Sequence, residues 1–524
     1  MESDNKRIAK NTIFLYLRSF LMMIIGLFSS RVILQALGVD DYGLYGAIGS
    51  IVAMFTIING TLAVGTSRFL TFELGKGDKE RLNKTFNASF TMHVLVAIAL
   101  FIMMETIGLW FVNNKMSIPH GREFAANVVY QLSILSCMFS LTQVPYGATI
   151  IAHEKMDIYA YVGLSEAIVK LALIVLLLYA PFSDKLIAYA IIIALWSIAL
   201  QIFYRVYCYK RFEETHLKLC KDKDIYKGML SYSLWDMVGQ FCATGNSQGI
   251  NILINMFFGV AVNAARAVAY QVEGAVNQLA SNFTTSVNPQ IVKSYARGDM
   301  DRFFELIYES GKYSYYLMFL LALPIFLEAE YILNLWLVEV PEYAVLFLRF
   351  VICISLYTIF SRSVINGVHA TGDVKTLNLT SGVYSAGTFI PMVYVAYKLG
   401  LPVWSCFVIQ SFNRIICSML EVRALCKQVK FDVLDYFKKV YLHAISVSAI
   451  AAVVPTLVFS MMPSSFLRLT ITVVVSVLST LLCVYTIGIS RSMRLKINDM
   501  IVSKLFERYI YGTVTGVQTC ALPI

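Results

Sequence analysis

Two runs of polar residues at helical spacing interrupt an otherwise apolar chain. In the first, Asp236, Gln240, Thr244, Ser247, Asn251 and Asn255 recur at steps of four, four, three, four and four, which places all six on one helix face. Beyond Gly259 a second run does the same with Arg266, Tyr270, Glu273, Asn277, Ser281, Thr284 and Asn288. A polar group turned to lipid costs several kcal/mol, so both faces must meet protein or water. Interhelical hydrogen-bond glue usually takes one or two such residues per helix. Six or seven per helix point instead to the wall of a water-filled cavity, with glue as the plainer alternative.

Nine basic residues also fall inside apolar stretches. Arg18, Arg68, Arg205 and Arg362 lie within a turn or two of one membrane face, and Arg31, Arg266 and Arg349 lie near the other. Taken singly, each is long enough to snorkel to the headgroups. Lys170 and Arg414 sit near mid-span, where a basic side chain costs ~2.5–3.5 kcal/mol and needs a partner or water. Glu166, one turn before Lys170, offers an i,i+4 partner, either as a neutralised pair or as a protonatable site. Arg414 has no acid within one turn of its own helix. It is therefore the residue expected to meet a ligand anion, the alternative being a lock onto a buried acid such as Asp236. The expected substrate-binding set is Arg414, Arg31, Arg266, Lys170, Asn251, Asn255 and Asn277, and the expected ion-coupling set is Glu273, Asp236 and Glu166. His93, His153, His369 and His443 read as interfacial. The ten cysteines show no CxxC and no histidines at metal spacing, so no disulfide framework, metal site or cofactor is expected.

The elements that position these residues must span a membrane. Of 524 residues 58% are hydrophobic and 15% charged, with a mean hydropathy of +0.67, far from a soluble chain at ~25% charged. Fourteen spans are expected, near 13–35, 44–72, 86–112, 124–151, 159–180, 186–207, 229–258, 262–289, 314–337, 343–368, 377–397, 402–424, 440–460 and 466–489. Inner segments hold 29 of the 43 Lys and Arg, and outer segments hold five, which sets both termini in the cytoplasm. The net charge of +10 is thus an orientation signal, and no nucleic-acid partner is needed to explain it. Met1 to Thr12 reads as a short cytoplasmic tail and not as a cleaved leader. The outer loops are too short for a catalytic domain, which argues against an enzyme.

An internal repeat divides the chain. Gly38-Val39 precedes Gly77-Asp78 by 39 positions, and Gly259-Val260 precedes Gly298-Asp299 by the same 39. A weaker echo links Ala152-His-Glu-Lys155 to Ala370-Thr-Gly-Asp373, at an offset of 218 against 221. Two six-span halves in the same orientation are expected to rock about a central cavity. The expected division is 1–217 and 218–430 for the two lobes, 431–511 for an appended pair of spans with a tail, and 512–524 for a non-native tail. Gly512 to Ile524 breaks from the preceding composition, resembles translated adapter sequence, and is expected to contribute nothing to fold or transport.

Three segments carry a family resemblance: Asn11-Thr-Ile-Phe-Leu-Tyr-Leu-Arg18, Ser30-Arg-Val-Ile-Leu-Gln-Ala-Leu-Gly-Val-Asp-Asp-Tyr-Gly43 and Arg68-Phe-Leu-Thr-Phe-Glu-Leu-Gly-Lys-Gly-Asp78. With Val287-Asn-Pro-Gln-Ile-Val-Lys-Ser-Tyr-Ala-Arg-Gly-Asp299 they resemble bacterial O-antigen and capsule flippases, the polysaccharide-export branch of the multidrug/oligosaccharidyl-lipid/polysaccharide superfamily. The resemblance extends to about Arg508. It implies an all-α, multidrug-extrusion-transporter-like fold, with about 14 transmembrane helices in two six-helix lobes around a cavity and two extra C-terminal helices. It also implies a multi-pass protein of the bacterial inner membrane. The implied cargo is an undecaprenyl-pyrophosphate-linked oligosaccharide, moved to the outer leaflet with proton or sodium coupling, among membrane lipids and beside a polysaccharide polymerase. Arg414, helped by Arg31, Arg266 and Lys170, would then hold the pyrophosphate while the two polar stripes solvate the sugars. A cation or drug antiporter of the same fold, and a membrane-embedded polymerase or ligase, are the alternatives.

Overall fold

The computed structural model describes residues 2–489 apart from 115, 117, 119, 120, 180, 181, 219, 338 and 339, and beyond them 494, 495 and 498. The expectation for 512–524 therefore lies outside the described residues. Among the described residues every regular element is helical. The first group comprises α1 (Glu2–Lys76), α2 (Lys79–Met103), α3 (Leu109–Asn114), α4 (Glu123–Ala152), α5 (Met156–Tyr179) and α6 (Lys185–Arg211). The second comprises α7 (Lys223–Phe258), α8 (Val260–Ala296), α9 (Met300–Leu327), α10 (Ala329–Trp336), α11 (Ala344–Thr371), α12 (Val374–Leu377), α13 (Val383–Lys398) and α14 (Ser405–Cys426). The last are α15 (Val433–Tyr436), α16 (His443–Met461) and α17 (Phe466–Cys483). Every expected span falls on one of these helices or on a run of them joined by a π turn or a bend. Among the described residues seven helices, or eight if α9 and α10 count as one crossing bent by 79°, are long and apolar enough to cross a membrane. Helices α7 and α8 are not among them, because their polar stripes dilute an otherwise apolar composition.

The first two spans share one long helical range, α1. The stretch 38–43, where an outer turn is expected, falls inside the range of α1. That stretch contains no proline, so no residue there lacks a donor for the ladder. Yet Arg18 and Ser67 line one cavity, although on a straight helix at 1.5 Å per residue they would stand ~74 Å apart. Helix α1 therefore doubles back between them, and its two arms take the places of spans one and two. At the far end Arg122 donates from Nε to Asp41 at 2.9 Å and from Nη1 to Asp184 at 2.7 Å. This fork ties α1 to the turns before α4 and before α6. The expected N-terminal tail is also helical from Glu2, with Asn11 and Thr12 buried.

The repeated Gly-Asp pairs have a local cause. Gly77 and Gly298 adopt φ of 80° and 76°, the left-handed conformation that ends a helix. The next residue then caps the following helix: Asp78 accepts from Arg81 N at 2.9 Å and Asp299 from Arg302 N at 3.1 Å. Gly372-Asp373 repeats the device, with φ of 93° at the glycine and Asp373 accepting from Thr376 N at 3.4 Å.

Each group has its own apolar interior. Leu70, Phe86, Tyr146, Ile150 and Tyr204 form one in the first group, and Phe303, Phe347 and Phe360 of the second belong to a larger one that also takes in Tyr436 of α15 and Ile8 of α1. Ile98, Trp110, Ile168, Leu195, Ile450 and Leu478 are exposed and give the bundle its lipid-facing surface. The appended pair α16–α17 packs on α9. There Arg468 of α17 grips Glu328, at the bend between α9 and α10, with Nε and Nη2 at 3.0 and 2.8 Å. Thr472 donates to the same carboxylate at 3.1 Å, and the Glu328 side chain is fully buried.

Candidate functional site

Helices α8, α11 and α14 of the second group enclose a cavity of about 270 Å³. From α8 come Tyr270, Glu273 and Asn277, at steps of three and four that put them on one face. Helix α11 adds Ser355, Thr358 and Arg362 at the same steps, and α14 adds Gln410 and Arg414 four apart. Glu273 Oε1 accepts from Ser355 Oγ at 2.8 Å, and Arg362 is within electrostatic reach of both Glu273 and Arg414. Tyr270 OH donates to Gln410 at 3.4 Å. The lining thus sets two guanidiniums and one carboxylate among neutral hydroxyl and amide groups. Such a lining can bind an anion that also carries hydroxyls.

Arg414 has an ion-pair partner two turns along its own helix. Its Nη2 lies 3.5 Å from Oε1 of Glu421, seven positions on. Two turns return a helix to the same face, so the partner lies beyond the one turn that was considered. Glu421 Oε1 also accepts from Ser381 at 2.9 Å, while Nε of Arg414 is buried with no hydrogen-bond partner. Asp236 is not the partner. Its Oδ1 stands 3.8 Å from Nε2 of His369, whose Nδ1 is 2.9 Å from Tyr232 OH, and its Oδ2 is buried without a hydrogen bond. His369 thus meets Asp236 and Tyr232, and His93 is buried.

The remaining expected residues separate. Arg266 is buried, donates to Asn251 and stacks over Tyr270 at 4.4 Å, so it stands behind the cavity wall. Asn255 is exposed at the end of α7. Glu166 lines a second cavity of about 370 Å³ in the first group, with Arg18, Gln143, Tyr159 and Tyr204. Among the described residues Glu166 and Lys170 make no ion pair within 4.0 Å, so the expected neutral pair does not form. The side chain of Arg31 lies outside the described residues. The arginines read as snorkelling instead meet protein: Arg362 the cavity, Arg18 the ring of Tyr159 at 4.6 Å, and Arg68 the carbonyl of Ala370 at 3.1 Å. Sequence reasoning missed Ser355, Thr358, Arg362 and Gln410. The 355–358–362 spacing carried the same periodic signal as the stripe on α8.

The sequence pattern of the family described as "Polysaccharide biosynthesis protein" matches residues 8–295. The "Uncharacterized membrane protein EpsK" of Bacillus subtilis (strain 168) is 21% identical over 295 residues, covering 54% of this chain and 56% of that relative. The match thus spans little more than half of that protein's length. Among solved structures, a MATE protein in the straight conformation superposes with a TM-score of 0.71 at 13% identity, over 82% of this chain and 96% of that one. A multidrug resistance MATE family transporter of the MOP superfamily in an outward-facing conformation gives 0.67 at 15% identity, over 81% and 97%. A MOP superfamily transporter from Pyrococcus furiosus, described as having a binding pocket of reverse polarity, gives 0.67 at 13%, over 82% and 96%.

Proposed function

Because the chain belongs to the polysaccharide biosynthesis protein family, we propose that it is a transporter of lipid-linked oligosaccharide. The cargo is an undecaprenyl-pyrophosphate-linked glycan of the O-antigen or capsule type. It passes from the cytoplasmic to the outer leaflet of the bacterial inner membrane by alternating access, with both termini of the protein cytoplasmic. One observation carries this reading: Arg362 and Arg414 share a cavity with Tyr270, Asn277, Ser355, Thr358 and Gln410. A diphosphate brings two or more negative charges, and taking them through a low-dielectric path without counter-charge is prohibitive. The planar guanidinium fork gives paired charge-assisted hydrogen bonds to phosphate oxygens, while the neutral groups replace water around sugar hydroxyls. About 270 Å³ has room for the diphosphate end of such a headgroup and not for a whole oligosaccharide. Glu273 keeps the lining from being wholly basic, which favours release.

In this scheme Arg266 steadies the wall through Tyr270 and Asn251, and Arg31, Lys170 and Asn255 meet the cargo along its route. Glu273, Asp236 and Glu166 are the acids that a proton or sodium ion would use, and a polysaccharide polymerase receives the product. A cation or drug antiporter is the rival. Two guanidiniums in the cavity oppose it, because like charges in a dry site cost several kcal/mol. The test compares Arg414→Lys with Arg414→Gln at matched protein levels. Lys should keep partial flipping, whereas Gln should leave lipid-linked units on the cytoplasmic leaflet. Normal flipping by Arg414→Gln, or its recovery when Glu421 is also changed to Gln, makes Arg414 structural and ends the pyrophosphate assignment.

A further inference from the structure

The two Gly-Asp motifs of the repeat meet each other in space. Gly75 stands three residues before Asp78, and Ala296 stands three before Asp299, 221 positions on. A Cβ placed on Gly75 would lie 2.9 Å from Cβ of Ala296 and 3.0 Å from Cα of Lys293, and Arg297 Nε donates to the Gly75 carbonyl at 3.4 Å. A residue that touches its own repeat mate lies on the axis relating the two halves. Two further contacts obey the same relation. Thr12 Oγ1 and Ser286 Oγ are 2.7 Å apart. Shifting both ends by 221, one forward and one back, gives Ser233 and Gly65, and Ser233 Oγ lies 2.9 Å from the ideal Cβ of Gly65.

Two clasps flank this axis, both at the end of the bundle rich in Lys and Arg. In one, Arg68 of α1 reaches the end of α11, donating to the Ala370 carbonyl at 3.1 Å and packing on the left-handed Gly372. In the other, Glu154 at the end of α4 takes the position that Gly372 holds in the repeat, and it too is left-handed, with φ of 58°. A glutamate is an uncommon and costly residue for that conformation, so something other than the turn selects it. Its side chain is buried between the lobes, where Gln290 donates to Oε2 at 2.6 Å and Lys293 pairs with Oε1. Asn11 of α1 donates to its carbonyl at 3.2 Å. Both partner helices have a compliant point close by: Pro145 lies within α4 and Pro289 within α8, directly before Gln290. A proline removes a ladder hydrogen bond and lets the turns beyond it swing.

We infer that Glu154, Lys293 and Gln290, with the Gly75–Ala296 contact as pivot, form a cytoplasmic latch that holds the two lobes together at the inner mouth, so that cargo enters only when it opens. The latch and the cargo cavity share α8, with Glu273 and Lys293 twenty positions apart on that helix. The inference rests on the transport reading above, but its test reads lobe position and not flipping. In a cysteine-free background, spin labels at Lys76→Cys and Asp301→Cys report the inner mouth, and labels at Asn113→Cys and Lys398→Cys report the outer one. All four positions are exposed. Pulsed electron–electron distance measurements in nanodiscs should give one short inner distance for the parent. Glu154→Gln and Gly75→Val should each convert most of that population to a longer distance while the outer distance shortens. The double exchange Glu154→Lys with Lys293→Glu should restore the short inner distance. An unchanged inner distance in both single variants overturns the latch, and so does widening at both ends, which reports loosening of the fold and not rocking. If the distances shift as expected while lipid-linked glycan is not a cargo, the latch stands and the cargo assignment falls.

Discussion

Arg362 offers the sharpest check on the cavity, because among the described residues Glu273 is the acid that lines the cavity with it. The lining as drawn carries two guanidiniums against one carboxylate. Arg362→Gln leaves Arg414 alone against Glu273, and Arg414 already leans toward Glu421 at 3.5 Å. One hydrogen bond to a charged group contributes ~1.5–3 kcal/mol, which at about 1.4 kcal/mol per decade corresponds to roughly 10- to 100-fold in affinity. The assay is uptake into proteoliposomes of short-chain prenyl oligosaccharides carrying either a diphosphate or a monophosphate. If Arg362 holds phosphate, the wild-type preference for the diphosphate should shrink by about that factor in Arg362→Gln and partly return in Arg362→Lys. A variant that loses transport of both cargoes equally has lost fold or gating. A variant whose preference is unchanged refutes the placement of phosphate beside Arg362.

Two further outcomes follow from other residues. Arg468→Ala strands the fully buried Glu328 carboxylate at the α9–α10 bend, which should cost ~3–5 kcal/mol. It should lower the unfolding temperature in detergent, with most of the loss recovered by adding Glu328→Gln; equal stability of the single variant would show that the clamp is slack. Glu273→Gln should remove any dependence of transport on the membrane pH gradient, since Glu273 is the one acid lining the same cavity as Arg362 and Arg414. If that dependence persists in Glu273→Gln, and also in Asp236→Asn and Glu166→Gln, these acids do not carry the coupling ion.

The crossings were legible because a bilayer writes its thickness into the chain as runs of ~20 apolar residues. The stripe on α8 was legible for a similar reason: Tyr270, Glu273 and Asn277 keep helical steps and do line one cavity. What stayed hidden depends on which face a helix shows its neighbours, and spacing along one helix carries no record of that. Arg362 sat near a span end and was explained by snorkelling, although its own face also bears Ser355 and Thr358. The stripe on α7 scatters for the same reason. Asp236 turns to His369, Asn251 accepts from Arg266, and Asn255 stays exposed, so one face serves three separate settings. Partners more than a turn away, such as Glu421 for Arg414, escape a test limited to i,i+4 neighbours.

The placement of charge also bears on how such a machine can move at all. A buried ion pair is weak support for stability, since apolar residues of like volume often do as well. Its advantage is that it can be broken by an incoming charge, which an apolar contact cannot. Here the paired charges divide by location. Arg468–Glu328 fastens α17 to the bend between α9 and α10. Glu154–Lys293 joins the end of α4 to α8, and both helices carry a proline. Arg414–Glu421 borders the cavity at 3.5 Å, loose enough that a phosphate could draw the guanidinium away. Only the last two lie where relative motion or ligand entry would change their surroundings, and α8 touches both regions. An anion that engages the cavity and a latch that releases the inner mouth would therefore act on one helix, so each should shift the balance of the other by the same free energy.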